Sequence, residues 1–221
     1  MAVTAPLAAP ETPTPDYLAL ARERLPSCDL TEDTGEPRAG DHVLNPGHIV
    51  IAEAMRAARP AAVLIPLVSR PGGVTVLLTE RASSLRSHSG QVAFPGGKID
   101  GPHETPVEAA LREAREEIGL DPSRVEPFGR LDSYLSGSGF RIAPIVAEVK
   151  PPFSLRLNAA EVADAFEAPL AFLMDAANHQ RRSRVWQGME RHFYEMPWEA
   201  RHIWGVTAGI LRNLYERLGL V

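Results

Sequence analysis

At 221 residues, with 44% hydrophobic and 23% charged, the chain holds enough apolar material for one substantial core. A formal net charge of −5 argues against a general nucleic-acid or anionic-membrane binder, though it leaves room for a local basic groove. No uninterrupted apolar run suggests a membrane span, the first residues lack the basic start and apolar core of a signal peptide, and the lone Cys28 cannot form an internal disulfide, which fits a reducing cytoplasm.

From the N-terminus, Ala2 to Pro15 is rich in Ala, Pro and Thr, the composition of a disordered segment. Asp16 is placed to cap a short helix over Tyr17 to Leu25. Ser27 to Asn45 alternates polar residues with Pro and Gly and reads as ordered coil at best. Residues 1–45 are therefore expected to form a partly disordered N-terminal extension, and 46–221 a single domain. Ile49 to Ala58 reads as a helix ended by Pro60. The run Ala61 to Val68 is a strand, and Val74 to Thr79 the next, after the Pro71-Gly72-Gly73 turn. Thr105 to Gly119 is a helix, with Val107, Ala110, Leu111, Ala114 and Ile118 on one apolar stripe. Gly129 to Leu135 and Phe140 to Val149 supply further strands. After Pro151-Pro152 come a short acidic segment at Glu161, an apolar stretch from Phe166 to Leu173, a hairpin near Arg184 to Glu195 and a final helix over Gly205 to Leu218. Strands alternating with few helices imply an α/β/α sandwich on a mixed β-sheet.

The helix Thr105 to Gly119 carries the chemistry. Glu113 and Glu117 project within roughly 40° of each other, on the edge of the apolar stripe, and Glu116 lies further round. Two like charges one turn apart and partly buried raise the free energy of the ionised pair. A hard cation with oxygen ligands, Mg²⁺ or Mn²⁺, removes that cost. The alternative is a solvated acidic face paired with Arg112 and Arg115. The turn in front of the helix, Gly96-Gly97-Lys98, favours a site for metal and phosphate.

Arg112-Glu113-Ala114-Arg115-Glu116-Glu117-Ile118-Gly119-Leu120 resembles the second half of the Nudix hydrolase box, and seven residues separate Glu104 from Arg112 as that box requires. Six residues rather than the usual five separate Gly97 from Glu104. That spacing is similar to the branch resembling coenzyme A pyrophosphatases. Leu77-Leu78-Thr79-Glu80-Arg81-Ala82, Arg86, Gly90 and Phe94-Pro95-Gly96-Gly97 match the accessory motif of that branch, and Ile203 to Ala208 resembles the segment opening its last helix. The resemblance covers about Ala62 to Leu218.

The resemblance implies a Nudix fold and a metal-dependent cut of a diphosphate, giving 3′,5′-ADP and 4′-phosphopantetheine from coenzyme A. Glu113, Glu116, Glu117 and the carbonyl of Gly97 are the expected metal ligands, since glycine lets backbone approach closely. Glu104 and Arg112 are supporting residues, Arg112 orienting the carboxylates. Glu161 is the candidate general base outside the box, or else a capping or surface glutamate; Asp164 and Glu167 are weaker candidates. Arg81 and Arg86 suit phosphates through bidentate hydrogen bonds, or brace the loop on a carboxylate. His88 either contacts substrate or holds its turn, and Lys98 either touches phosphate or is solvated. His192 and His202 are assigned packing roles. Trp186, Trp198 and Trp204 are read as core or lid residues rather than an adenine platform. Two other readings are another nucleoside diphosphate derivative as substrate, and a nucleotide-binding protein without hydrolysis. The first sixty residues are compatible with covering the active site, with mediating a homodimer or with neither.

Overall fold

The computed structural model describes residues 15–28, 38–48, 51–84, 89–186 and 188–220, with backbone alone at 51 and 52. Arg86, His88 and nearly all of the segment expected to be disordered lie outside them. In chain order the elements are α1 (Tyr17–Arg24), β1 (Ala39–Gly40), α2 (Asp41–Leu44), α3 (Ile51–Ala57), β2 (Arg59–Arg70) and β3 (Gly73–Arg81). There follow β4 (Val92–Ala93), β5 (Gly96–Lys98), α4 (Pro106–Ile118), β6 (Val125–Arg130), β7 (Tyr134–Leu135) and β8 (Phe140–Val149). The chain continues through β9 (Val162–Pro169), α5 (Leu170–Leu173), β10 (Gln180–Trp186), β11 (Met189–Trp198), β12 (Arg201–Trp204) and α6 (Val206–Arg217). Among the described residues no helix is long and apolar enough to cross a membrane.

The strand β2 organises the molecule. It pairs in parallel with β8 and antiparallel with β3 and β5, at the centre of a mixed sheet that has nine strands among the described residues. Because successive side chains alternate between faces, Ala62, Leu64 and Val68 enter one core while Ala61, Ile65 and Leu67 enter the other. Burial on both faces explains the near-continuous apolar run in the sequence. Ala109, Ala110, Ala114 and Ile118 of α4 complete the first core. On the opposite face Ala208, Ile210, Leu211 and Leu214 of α6 complete the second, together with Met196 and Ile203 of a separate three-stranded sheet, β10-β11-β12. Helix, sheet and helix form the expected α/β/α sandwich.

Three expectations are corrected. Gly129 to Leu135 is not one strand: β6 stops at Arg130 and β7 begins at Tyr134. Between them Asp132 turns away from the ladder to accept hydrogen bonds from Arg217 and Asn213 of α6. The apolar stretch from Phe166 to Leu173 is not one element: Pro169 ends β9, and Leu170 opens a helical turn; proline's fixed φ suits a first turn and its missing N–H does not suit a ladder. The stretch Ser27 to Asn45 is more than coil where it is described. Ala39–Gly40 pairs in parallel with β7, and Asp41 accepts hydrogen bonds from the Tyr134 hydroxyl at 2.7 Å and the Gly137 amide at 2.6 Å.

Candidate active site

Helix α4 is specified at both ends. Thr105 caps it in a reciprocal box with Glu108, Pro106 occupies its first turn, and Gly119 ends it at φ 65°. Four small or branched residues, Ala109, Ala110, Ala114 and Ile118, let the helix lie close on the sheet. That closeness carries Glu117 inward with them. Its side chain is only 4% exposed, deeper than the edge position read from helical spacing.

Around Glu117 the described residues provide partial compensation only. The Gly96 amide donates to its carboxylate at 3.1 Å, and Arg81 of β3 stands at 3.9 Å. Burial pushes the Glu117 carboxyl up to about 7, against the Gly96 hydrogen bond and the Arg81 charge, and the charges of Glu113 and Glu161 add to the rise. Burial also raises the Glu113 carboxyl, opposed by Arg112 and reinforced by Glu116 and Glu161. The charge of the loop glutamate thus acts on both helix carboxylates.

Arg112 holds the outer part of the site. Its guanidinium donates twice to Glu104, at 2.7 and 3.2 Å, to Glu113 at 2.9 Å, to Glu116 at 3.3 Å and to the Lys98 carbonyl at 2.9 Å. The hydrogen bond from Arg112 keeps the Glu104 carboxyl below its ordinary range despite some desolvation. Gly97 presses against the Glu113 carboxylate so closely that an added Cβ would collide with it, and a Cβ on Gly96 would meet the backbone of Ala62 and Val63. Gly97 therefore admits the Glu113 carboxylate, and Gly96 admits the close approach of β5 to β2.

The donor set fits a divalent cation: carboxylate oxygens around a buried, under-compensated negative charge, beside the half-buried backbone of a glycine. As placed, Glu113 is engaged by Arg112 and Glu117 by the Gly96 amide. Among the described residues no three acidic, histidine or cysteine groups are already gathered as an ion cage.

Glu161 sits in a turn bound to the end of α4. The Asn158 amide nitrogen of its backbone donates to the Glu117 carbonyl at 2.8 Å, and the Asn158 side chain donates to the Glu161 carboxylate at 3.1 Å. The Glu161 carbonyl accepts from the Ala82 amide at 2.8 Å, so one turn spans α4 and the end of β3. Lys98 ends β5 with an exposed side chain. The weaker candidates are engaged elsewhere, Asp164 with Arg201 and Glu167 with Arg70 and Thr75. His202 is not a packing residue; it is 68% exposed and bonds Glu195 at 2.8 Å, because it lies on the outer face of β12. Trp186 is exposed too. Sequence reading passed over the Gly96 amide and Asn158. The Asn-x-x-Glu spacing, typical of a side-chain-stitched turn, was the available sign of the latter.

Residues 58–186, more than half of the chain, match the family model described as NUDIX domain. The protein named Uncharacterized Nudix hydrolase NudL from Enterobacter sp. (strain 638) is 41% identical over 172 residues, covering 73% of this chain and 84% of its own length. Its namesake from Escherichia coli (strain K12) is 40% identical over 162 residues, with the same coverage of each. Among solved structures, a Nudix hydrolase from M. smegmatis, RenU, is 28% identical with a TM-score of 0.44, covering 51% of this chain and 71% of its own. On the family match and the two relatives, this chain belongs to the Nudix hydrolases and is a pyrophosphohydrolase.

Proposed function

We propose that this enzyme hydrolyses the diphosphate linkage of coenzyme A or its acyl derivatives, releasing 3′,5′-ADP and 4′-phosphopantetheine or its acyl form. The observation that carries the substrate reading is the string from Leu77 to Gly97, which runs unbroken into the box glycines and whose Arg81 reaches the buried Glu117.

Glu113, Glu116, Glu117 and the Gly97 carbonyl would hold Mg²⁺ or Mn²⁺. Bound there, the ion neutralises diphosphate oxygens and lowers the pKa of water at the site toward neutrality. Arg112 keeps Glu104 and Glu113 in place through its forked hydrogen bonds. Glu161, oriented by Asn158 and acting by its charge on the α4 carboxylates, takes the proton of the attacking water. Lys98 and Arg81 offer cations to the phosphates at either side of the glycine pair. Presence of all four box glutamates weighs against a binding protein without turnover.

The test is product analysis of the purified protein with Mg²⁺ or Mn²⁺ and, in parallel, coenzyme A, ADP-ribose and a diadenosine polyphosphate. Metal-dependent release of 3′,5′-ADP well above turnover of the others is expected. Preference for either of the other two keeps the chemistry and rejects the substrate.

A further inference from the structure

A cleft of about 500 Å³ opens between the turn Ser89–Val92 and the outer face of the three-stranded sheet. Its walls include Glu80, Arg184, Phe193, Glu195, His202 and Trp204. Phe193 and Trp204 pack edge to face, ring centroids 5.4 Å apart, and form an apolar wall. Glu195 is already committed to Arg182 at 3.3 Å and His202 at 2.8 Å. Arg184, in contrast, is exposed and, among the described residues, has no hydrogen-bond or ion-pair partner. The volume falls in the range of small-molecule sites.

This cleft and the acidic site share a wall. Glu80 lines the cleft while the next residue, Arg81, reaches Glu117, and the register of β3 against β9 shifts between the two. Gln91 lines the cleft as well, and five residues later Gly96 donates to Glu117. Five residues span at most about 17 Å of extended chain, so one elongated substrate can reach from the carboxylates around the end of β3 into the cleft.

We infer that the cleft binds the nucleotide end of the diphosphate substrate, the base on the Trp204–Phe193 wall and an additional phosphate on Arg184. A flat base gains from an aromatic surface. An unengaged guanidinium selects an oxyanion, which the neutral, flexible pantetheine arm lacks. Glu80, paired with Arg201 at 4.0 Å, keeps acceptor capacity for an exocyclic amine. The inference rests on the diphosphate chemistry proposed above and commits to one half of the substrate.

Its test uses the full chain and the variants Arg184→Ala and Trp204→Leu. Calorimetry would measure binding of adenosine 3′,5′-bisphosphate, AMP and 4′-phosphopantetheine, and kinetics with Mg²⁺ would give KM and kcat for coenzyme A. Arg184→Ala is expected to weaken bisphosphate binding and raise KM by roughly tenfold, the loss of one charge-assisted contact, with kcat falling less and AMP binding unchanged. Trp204→Leu weakens both nucleotides. If both variants bind nucleotide and turn over coenzyme A as the parent does, while Glu117→Gln is inactive, the cleft assignment is overturned and the active site stands. Selective loss of 4′-phosphopantetheine binding overturns it equally. If coenzyme A is not cleaved but ADP-ribose is, with a KM raised by Trp204→Leu, the cleft stands and the coenzyme A reading fails.

Discussion

Glu117 concentrates the conflict between stability and chemistry in this enzyme. An ordinary glutamate titrates at 4.5 and this one at about 7, so the folded protein holds that proton more tightly than the unfolded chain does. Stability from this group is therefore full below pH 4.5 and is lost as pH rises through 7. In EDTA, Glu117→Gln should unfold later than the parent in urea at pH 8, by up to about 3 kcal/mol, with the gain gone below pH 4.5. The same variant, and Glu113→Gln, should lose at least ~10²-fold in kcat with Mg²⁺; near-normal turnover in both would reject the site. Spacing on a helix made these two residues legible, because periodicity alone puts them on one side. The depth of Glu117 was not legible. It depends on how close β5 comes to α4, and thus on Gly97 having no side chain.

At the scale of elements, α4 is the best specified, since its cap, its first-turn proline and its terminal glycine are local signals in the sequence. Gly119 has a second duty visible only in the fold: a Cβ there would stand 2.9 Å from the Arg156 side chain, whose amide donates to the Ile118 carbonyl at 2.8 Å. The loop carrying Asn158 and Glu161 is laid directly over that helix end. Gly119→Ala, strained at φ 65° and crowded by Arg156, is expected to cost roughly 1–3 kcal/mol, read as a lowered urea midpoint. A smaller loss than about 0.5 kcal/mol would show that the loop yields freely. The break between β6 and β7 was illegible for the opposite reason. Asp132 leaves the ladder for partners more than eighty positions away, and no local pattern encodes them.

Across the whole molecule, the near-continuous apolar run of β2 is the mark of a strand buried on both faces, and the two cores occupy those faces. What such a run cannot announce is how the outer helices are tied down. Asp132 joins the loop after β6 to α6 through Arg217 and Asn213. Burial alone would raise its carboxyl, but those two partners outweigh burial and hold it below its ordinary 3.8. Its contribution is present above pH 3.8 and is lost as pH falls through the lowered value. Asp132→Asn should therefore cost about 1–3 kcal/mol at pH 7, a gap unchanged down to pH 5 and closing below 3.8 in pH-dependent urea titrations. A gap of equal size at pH 3 would mean that the variant acts through packing instead.

The first helix is fastened in a similar way, to parts of the chain remote from it. Tyr17, Ala21 and Leu25 belong to the larger core, Arg22 pairs with Glu126 and Glu148, and Arg24 donates to the Leu218 carbonyl, 194 positions along. On the ribosome α1 is made before all of these partners, β6 following first and Leu218 much later. At ordinary rates of synthesis the delay between Arg24 and Leu218 is roughly ten to forty seconds. Throughout that interval α1 has only part of its partners, so its fastening is complete only once α6 has been made.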